Sequence, residues 1–216
     1  MPQVKTAAVR KTRIQTRNEE LILDAALEVF SAHGFRGSTV DQIAAKCGLS
    51  KPNLLYYFRR KDDIYTAVLE RTLTGWLEPL RALDASGDPI AELSRYISEK
   101  IRMSRERPEA SRLFANEILH GAPAIGKFLK GPLKALVDDK AAIIRGWIAQ
   151  GRLAAVDPHH LIFAIWATTQ HYADFEVQVR AVLGNGNGHM AAAERTLLTL
   201  IMNGLRPRDQ PAGRGA

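Results

Sequence analysis

From Leu21 onward the apolar residues recur at intervals of three and four, and no stretch alternates with period two for long enough to make a strand. That regularity restricts the chain to helices packed on helices. Leu21, Ile22, Ala25, Ala26, Val29 and Phe30 form the first apolar stripe. Thr16 or Asn18 is placed to cap it, Glu19 and Glu20 lie in the first turn against the helix dipole, and Gly34 stops it. Thr39 and Gln42 have capping-box spacing and open a short second helix carrying Val40, Ile43 and Ala44, which Gly48 ends. Ser50 then caps a third helix from Lys51 to about Phe58.

Further along, Ile64, Val68, Leu69, Leu73, Trp76, Leu77 and Leu80 predict a long fourth helix, ended by the stretch from Asp84 to Pro89. A fifth carries Ile90, Leu93, Ile97 and Ile101, and Pro108 starts a sixth around Leu113, Phe114 and Ile118. A seventh lies around Leu133, Leu136, Ile144, Trp147 and Ile148 and closes at Gly151. Asp157 and Pro158 are an N-cap and first-turn pair for an eighth helix expected to run unbroken to about Leu183. After the flexible run GNGNG at 184–188, a ninth spans about Ala191 to Asn203. The expected organisation is an arm at 1–17, a trihelical domain at 18–62, a larger helical domain at 63–205 and a tail at 206–216 rich in Pro, Gly and Arg.

Two short helices joined by a glycine turn are the core of a helix-turn-helix, and Thr39 to Phe58 fits that template. Content sharpens what spacing alone leaves weak. Lys51, Pro52 and Asn53 occupy the first turn of the second helix of the pair, the part that meets base edges in a major groove. Tyr56 and Tyr57 offer hydroxyls suited to phosphate oxygens, Lys61 opens the next helix, and Leu54 and Phe58 face inward. Taken singly, each has a plainer reading as a solvated lysine or a packed tyrosine; it is their order that points to DNA.

Charge agrees. The net charge is +7, and residues 1–17 hold Lys5, Arg10, Lys11, Arg13 and Arg17 with no acid, five of those seven charges. Such a segment is either a solvated tail or a basic arm that follows a phosphate backbone. The single cysteine, Cys47, excludes an intrachain disulfide and suits a reducing compartment. No segment approaches the roughly 18 unbroken apolar residues of a membrane span, and the N-terminus lacks the apolar core of a secretory signal, so a cytoplasmic protein is expected.

Enzymatic readings fare poorly. His159, His160 and His171 have no carboxylate or cysteine partners at metal spacing, so neither a catalytic residue, a metal nor a cofactor is expected. GNGNG follows a helix rather than a strand, which is the wrong setting for a phosphate loop. A basic helical scaffold or membrane-surface protein is the remaining rival. In the larger domain, Trp166 and Gln170 lie one turn apart, Phe163 and Asp174 continue their face, and Trp76 stands on the fourth helix. Aromatic residues at helical spacing are ordinarily core filling, but a buried amide must find partners, which a flat polar ligand would supply.

The run STVDQIAAKCGLSKPNLLYYFRRKDDIY, 38–65, resembles the DNA-binding signature of the TetR family of transcriptional repressors. That resemblance implies an all-α fold, operator reading by the N-terminal domain with Thr39, Lys51, Pro52, Asn53, Tyr56, Tyr57 and Lys61 at the interface, a homodimer, and a C-terminal domain for effector binding and dimerisation. Two departures stand out: Pro52 replaces the family's usual small residue, and Arg59 and Arg60 replace its frequent Pro-Ser. SRERPEASRLF (104–114), LKALVDDK (133–140) and DPHHLIFAIWATTQHYADF (157–175) are similar to the pyrimidine-utilisation branch of that family, which responds to uracil and thymine. By that likeness Trp76, Trp166 and Gln170 would hold a pyrimidine base, the aromatic faces stacking on the ring and the amide pairing with its N–H and C=O edge. Within the family, a sensor of hydrophobic drugs is the alternative. The expected dimer packs the eighth and ninth helices through Leu161, Ile165, Tyr172, Leu197, Leu200 and Ile201, making a four-helix bundle.

Overall fold

A computed structural model describes residues 13–184, 186 and 188–207. Most of the basic arm, the two asparagines of the GNGNG run and the end of the C-terminal tail lie outside the described residues. Among those described, the secondary structure is helical throughout: α1 (Arg13–Gly37), α2 (Val40–Cys47), α3 (Lys51–Tyr57), α4 (Lys61–Arg81), α5 (Pro89–Glu106), α6 (Pro108–Leu119), α7 (Gly126–Phe128), a π turn (Leu129–Leu133), α8 (Lys134–Ala149), α9 (Pro158–Asp174), α10 (Glu176–Leu183) and α11 (His189–Leu205). The chain divides between Val68 and Leu69 into two units, each with its own core.

In the first unit the α1 stripe of Ile22, Ala25, Ala26, Leu27, Val29 and Phe30 packs on α2 and is buried together with Ile43 and Ala44 of α2, Leu54 of α3, and Ile64, Tyr65 and Val68 of α4. Phe30 meets the Tyr65 ring edge-on at 5.1 Å between centroids, a preferred aromatic geometry. Gly34 sits at φ 68°, ψ 172°, a conformation open to glycine, and breaks the ladder of α1. The buried Ser38 hydroxyl donates to the Gly34 carbonyl at 2.6 Å and so satisfies a group the break exposed. Lys61 finishes the same corner. Its ammonium donates to the carbonyls of Phe35 and Ser38, both at 2.7 Å, and lies 4.5 Å from the centre of the Phe35 ring.

The second unit is built around α5 and α9. Leu93, Tyr96, Ile97 and Ile101 of α5 face Leu161, Ile162 and Ile165 of α9, with Val137, Ile144 and Trp147 of α8 and Leu197, Met202 and Leu205 of α11 closing the sides. Trp147 donates its indole N–H to the Ala85 carbonyl at 2.9 Å, so even the largest core side chain leaves no polar atom stranded.

Three helices differ from expectation. α1 begins at Arg13, so residues 13–17 of the expected arm are helical and Thr16 and Asn18 lie inside the helix rather than capping it. The other two differ for a local reason. The segment expected as one helix to Leu183 breaks at Phe175 (φ −113°, ψ 30°), giving α9 and α10. There Arg112 of α6 donates to the Ala173 carbonyl at 3.4 Å and pairs with Glu176 at 2.8 Å, so the carbonyl a straight helix would use internally has an outside partner. Ahead of α8, Pro132 has no N–H to give the ladder, and the backbone widens into the π turn. The apolar face expected for dimerisation also needs correction. Leu161, Ile165 and Leu197 are buried in the chain's own core, Tyr172 and Ile201 are half-buried, and only Leu200 of that set is exposed.

Candidate DNA interface and effector site

Capping places the reading helix. Thr39 accepts from the Gln42 backbone N–H while the Gln42 side chain accepts from the Thr39 N–H, which completes the capping box of α2. Gly48, at φ 70°, returns its N–H to Ala44 and Ala45, and the chain turns tightly into Ser50. Ser50 accepts from Asn53 N–H at the start of α3. Pro52, lacking an N–H, sits in the first turn where none is needed.

Burial then sorts the side chains of α3. Leu54 is fully buried, while Lys51, Pro52, Asn53 and Tyr56 are exposed. Lys51 forms an ion pair with Asp41 at 2.9 Å with both partners half exposed, a pairing of small net value that a phosphate could replace. Tyr56 is 71% exposed, and its ring meets Tyr57 edge-on at 5.2 Å. The Tyr57 hydroxyl accepts from Asn18 at 2.8 Å, which ties the far end of α3 to the beginning of α1. Arg59 and Arg60 follow α3 and are exposed.

In the second unit the residues singled out for a ligand fall into two neighbourhoods. Trp76 packs edge-on against Phe114 at 5.8 Å and lines a cleft of about 320 Å³ with Thr72, Met103 and Ala110. Trp166 instead lines a groove of about 320 Å³ with Leu129, Leu133, Val137, His159 and Phe163. Its indole N–H donates to the Tyr96 hydroxyl at 2.6 Å. Gln170 is half-buried, one turn beyond Trp166, and its amide makes no hydrogen bond to another described residue.

The link between the neighbourhoods is a pair that sequence reasoning missed. Tyr96 and Lys100 lie one turn apart on the buried face of α5. Tyr96 meets Trp166, and the Lys100 ammonium lies 4.8 Å from the centre of the Trp76 ring. Lys100 is only 4% exposed and, among the described residues, has no hydrogen bond or close ion pair. Burial lowers its pKa to about 8, against the pull of Asp174, which favours its charge. Asp174 shifts upward, chiefly because it is desolvated; the Ser111 hydroxyl donating to it, together with Lys100, Arg112 and His171, opposes that shift. The Tyr96 phenol is pushed up by burial. A signal for Lys100 was present: Leu93, Tyr96, Ile97, Lys100, Ile101 and Ser104 form one helical stripe, so the lysine stands at a core position.

Among the described residues no group of three His, Cys, Asp or Glu side chains could hold a metal ion, and no helix is long and apolar enough to cross a membrane. Residues 22–68 match the family model of bacterial regulatory proteins of the tetR family, and residues 69–208 match that of the C-terminal region of YcdC-like proteins. The chain is 47% identical over 208 residues, 95% of its length, to the HTH-type transcriptional regulator RutR of Escherichia coli, of which it covers 98%. It is 28% identical over 149 residues to the HTH-type transcriptional repressor NicS of Pseudomonas putida, 66% of this chain and 69% of that one. Among solved structures it is similar to the transcriptional regulator SCO4942 of Streptomyces coelicolor, with a TM-score of 0.71 and 26% identity over 88% of this chain and 99% of that one. The fatty acid degradation regulator FadR of Bacillus halodurans shares the fold, with a TM-score of 0.68 and 20% identity over 92% of this chain and 100% of that one. These relatives are regulators rather than enzymes, which sets the catalytic alternative aside. With a helix-turn-helix whose reading helix has an exposed first turn, followed in sequence by a larger helical unit, the chain belongs to the TetR family of bacterial transcriptional regulators.

Proposed function

We propose that this regulator is a repressor that binds operator DNA as a homodimer and is released by a pyrimidine base such as uracil or thymine. The observation that carries the DNA part is the sorting of α3: Leu54 anchors the helix while Lys51, Pro52, Asn53 and Tyr56 are left at the surface. In this reading Asn53 meets an adenine edge, Lys51 a base or a phosphate, and Tyr56 and Tyr57 phosphate oxygens. Thr39, at the cap of α2, lies at the backbone contact. Lys61 serves differently from a free phosphate ligand, since its ammonium is engaged by the carbonyls of Phe35 and Ser38; Arg59 and Arg60 add the charge that follows α3.

Dimerisation falls to the side chains that the fold leaves outside. Along α9 these include Ala164, Ala167 and His171, leading to the exposed Phe175, and along α11 they include Thr196, Thr199 and Leu200. An isologous pairing of α9 and α11 would bury them and set two reading helices about one turn of DNA apart.

For the effector, support comes from the pyrimidine-branch resemblance, the contacts of Trp166 with Tyr96 and of Trp76 with Lys100, and the Gln170 amide, which has no hydrogen bond to another described residue. The ligand acts by favouring a state of lower operator affinity, so operator DNA must weaken ligand binding by the same factor. The apolar groove at Leu129, Leu133, Val137 and Phe163 favours a second reading, a sensor of hydrophobic compounds. Footprinting locates the operator, and calorimetry with uracil and thymine against a panel of lipophilic cations separates the two ligand classes. Equal uracil affinity with and without operator overturns the release mechanism, and Gln170→Ala should lose the pyrimidine.

A further inference from the structure

A lysine ammonium carries three donors and no acceptor, and in a folded interior those donors are ordinarily met by oxygens. Lys100 breaks that pattern. It is 4% exposed, yet its described surroundings supply only the face of Trp76 and, at longer range, the Asp174 carboxylate already held by Ser111. Tyr96 is bonded to Trp166, and the ammonium has no other hydrogen-bond partner among the described residues. Nor is its nitrogen among sealed, unsatisfied atoms: no side-chain nitrogen or oxygen cut off from its surroundings lacks a partner. The Lys100 ammonium is therefore still within reach of solvent, beside the Trp76 ring that lines the cleft with Thr72, Met103 and Ala110.

Resting on the pyrimidine reading above, we propose that Lys100 is the donor that selects the effector: it takes a ring carbonyl oxygen of a cyclic imide or lactam as its missing partner. A carbonyl oxygen is a stronger acceptor for an ammonium than an indole face, so ligand entry draws the charge from Trp76 onto the ligand. The selectivity that follows is for oxygen. A ring whose carbonyl is replaced by a thiocarbonyl keeps its shape and its N–H groups but offers a poorer acceptor. Asp174, Arg112 and His171 set the surrounding charge and are unchanged by that swap. Trp76 would stack on either ring and the Gln170 amide would pair with one N–H and C=O edge, so the share of the oxygen preference that Lys100 supplies is the share lost when the lysine is removed.

Calorimetry on the full chain, with uracil, 2-thiouracil and 4-thiouracil as probes, tests this. Uracil should bind the unaltered protein tightly and Lys100→Met about 30-fold more weakly, the ordinary loss for one hydrogen bond to a charged group. At least one thio analogue should bind the unaltered protein about 10-fold more weakly than uracil, and that gap should close in the variant. Retained operator binding by Lys100→Met shows that it folds; if it does not, Lys100→Leu, which likewise has no donor, serves for the same comparison. Uracil affinity that survives removal of the lysine overturns the proposal alone, as does equal affinity of the unaltered protein for uracil and both thio analogues. Absence of any pyrimidine binding to the unaltered protein overturns the pyrimidine reading and this proposal together.

Discussion

Lys61 and Lys100 each lay an ammonium group over an aromatic ring, at 4.5 Å from the centre of Phe35 and 4.8 Å from that of Trp76, yet the two units that hold them treat the charge in opposite ways. In the DNA-reading unit the ammonium also meets two carbonyls at 2.7 Å and closes a corner of the fold. In the effector unit it meets no oxygen at hydrogen-bond distance among the described residues, although it is the more buried of the two. The first site is complete as folded. The second leaves the ammonium without an oxygen among the described residues, the demand that the proposed ligand carbonyl would meet.

The contrast breaks most visibly in stability. Lys61→Met should destabilise the first unit by about 4 kcal/mol, because two charge-assisted bonds vanish and two carbonyls are left behind. Urea denaturation measures this, and an unchanged midpoint would remove Lys61 from its closing role. Lys100→Met should act in the opposite sense and stabilise the second unit at pH 7 by about 3 kcal/mol, the equivalent of the fall in its pKa from 10.5 to about 8. The pH dependence has a definite sign. Between about 8 and 10.5 the unfolded chain binds more protons at this residue than the folded one, so stability rises with pH there and the variant loses that rise. A flat wild-type profile across the window contradicts the burial of the charge.

Smaller effects sharpen the comparison. Trp166→Phe deletes the bond to the Tyr96 hydroxyl and leaves that buried group short of a donor, a loss of about 2 kcal/mol readable by thermal melting. Lys51→Ala should leave stability within about 0.5 kcal/mol, since its pairing with Asp41 is exposed, while operator affinity falls and the slope of log K against log salt shrinks by about 0.9. An unchanged slope would mean that Lys51 touches no phosphate.

What could be read in the sequence is what neighbours along the chain decide. The Thr39–Gln42 capping box, the Gly48 turn, the Ser50 cap and the Asp157–Pro158 start all depend on residues within one turn of each other, and each is present as expected. The helical periodicity likewise fixed the fold class. Features decided across the chain were hidden. The break at Phe175 requires Arg112, more than sixty residues upstream. Leu161, Ile165 and Leu197 looked available to a partner because periodicity reports which side is apolar without saying which neighbour will cover it. Lys100 was concealed by composition: in RYISEKIRMSRE it reads as one charge among many, and only its place on the stripe with Leu93 and Ile97 betrays burial.

The break at Phe175 has a consequence for how the sequence can diverge. On α10 only Val179 is buried, while Val177, Val182 and Leu183 face outward. Because Arg112 and Glu176 hold the joint, those outward residues can drift without disturbing Asp174 or the polar groups around it. One short helix can thus diverge in its outward residues while the polar cluster of Ser111, Arg112 and Asp174 is inherited unchanged.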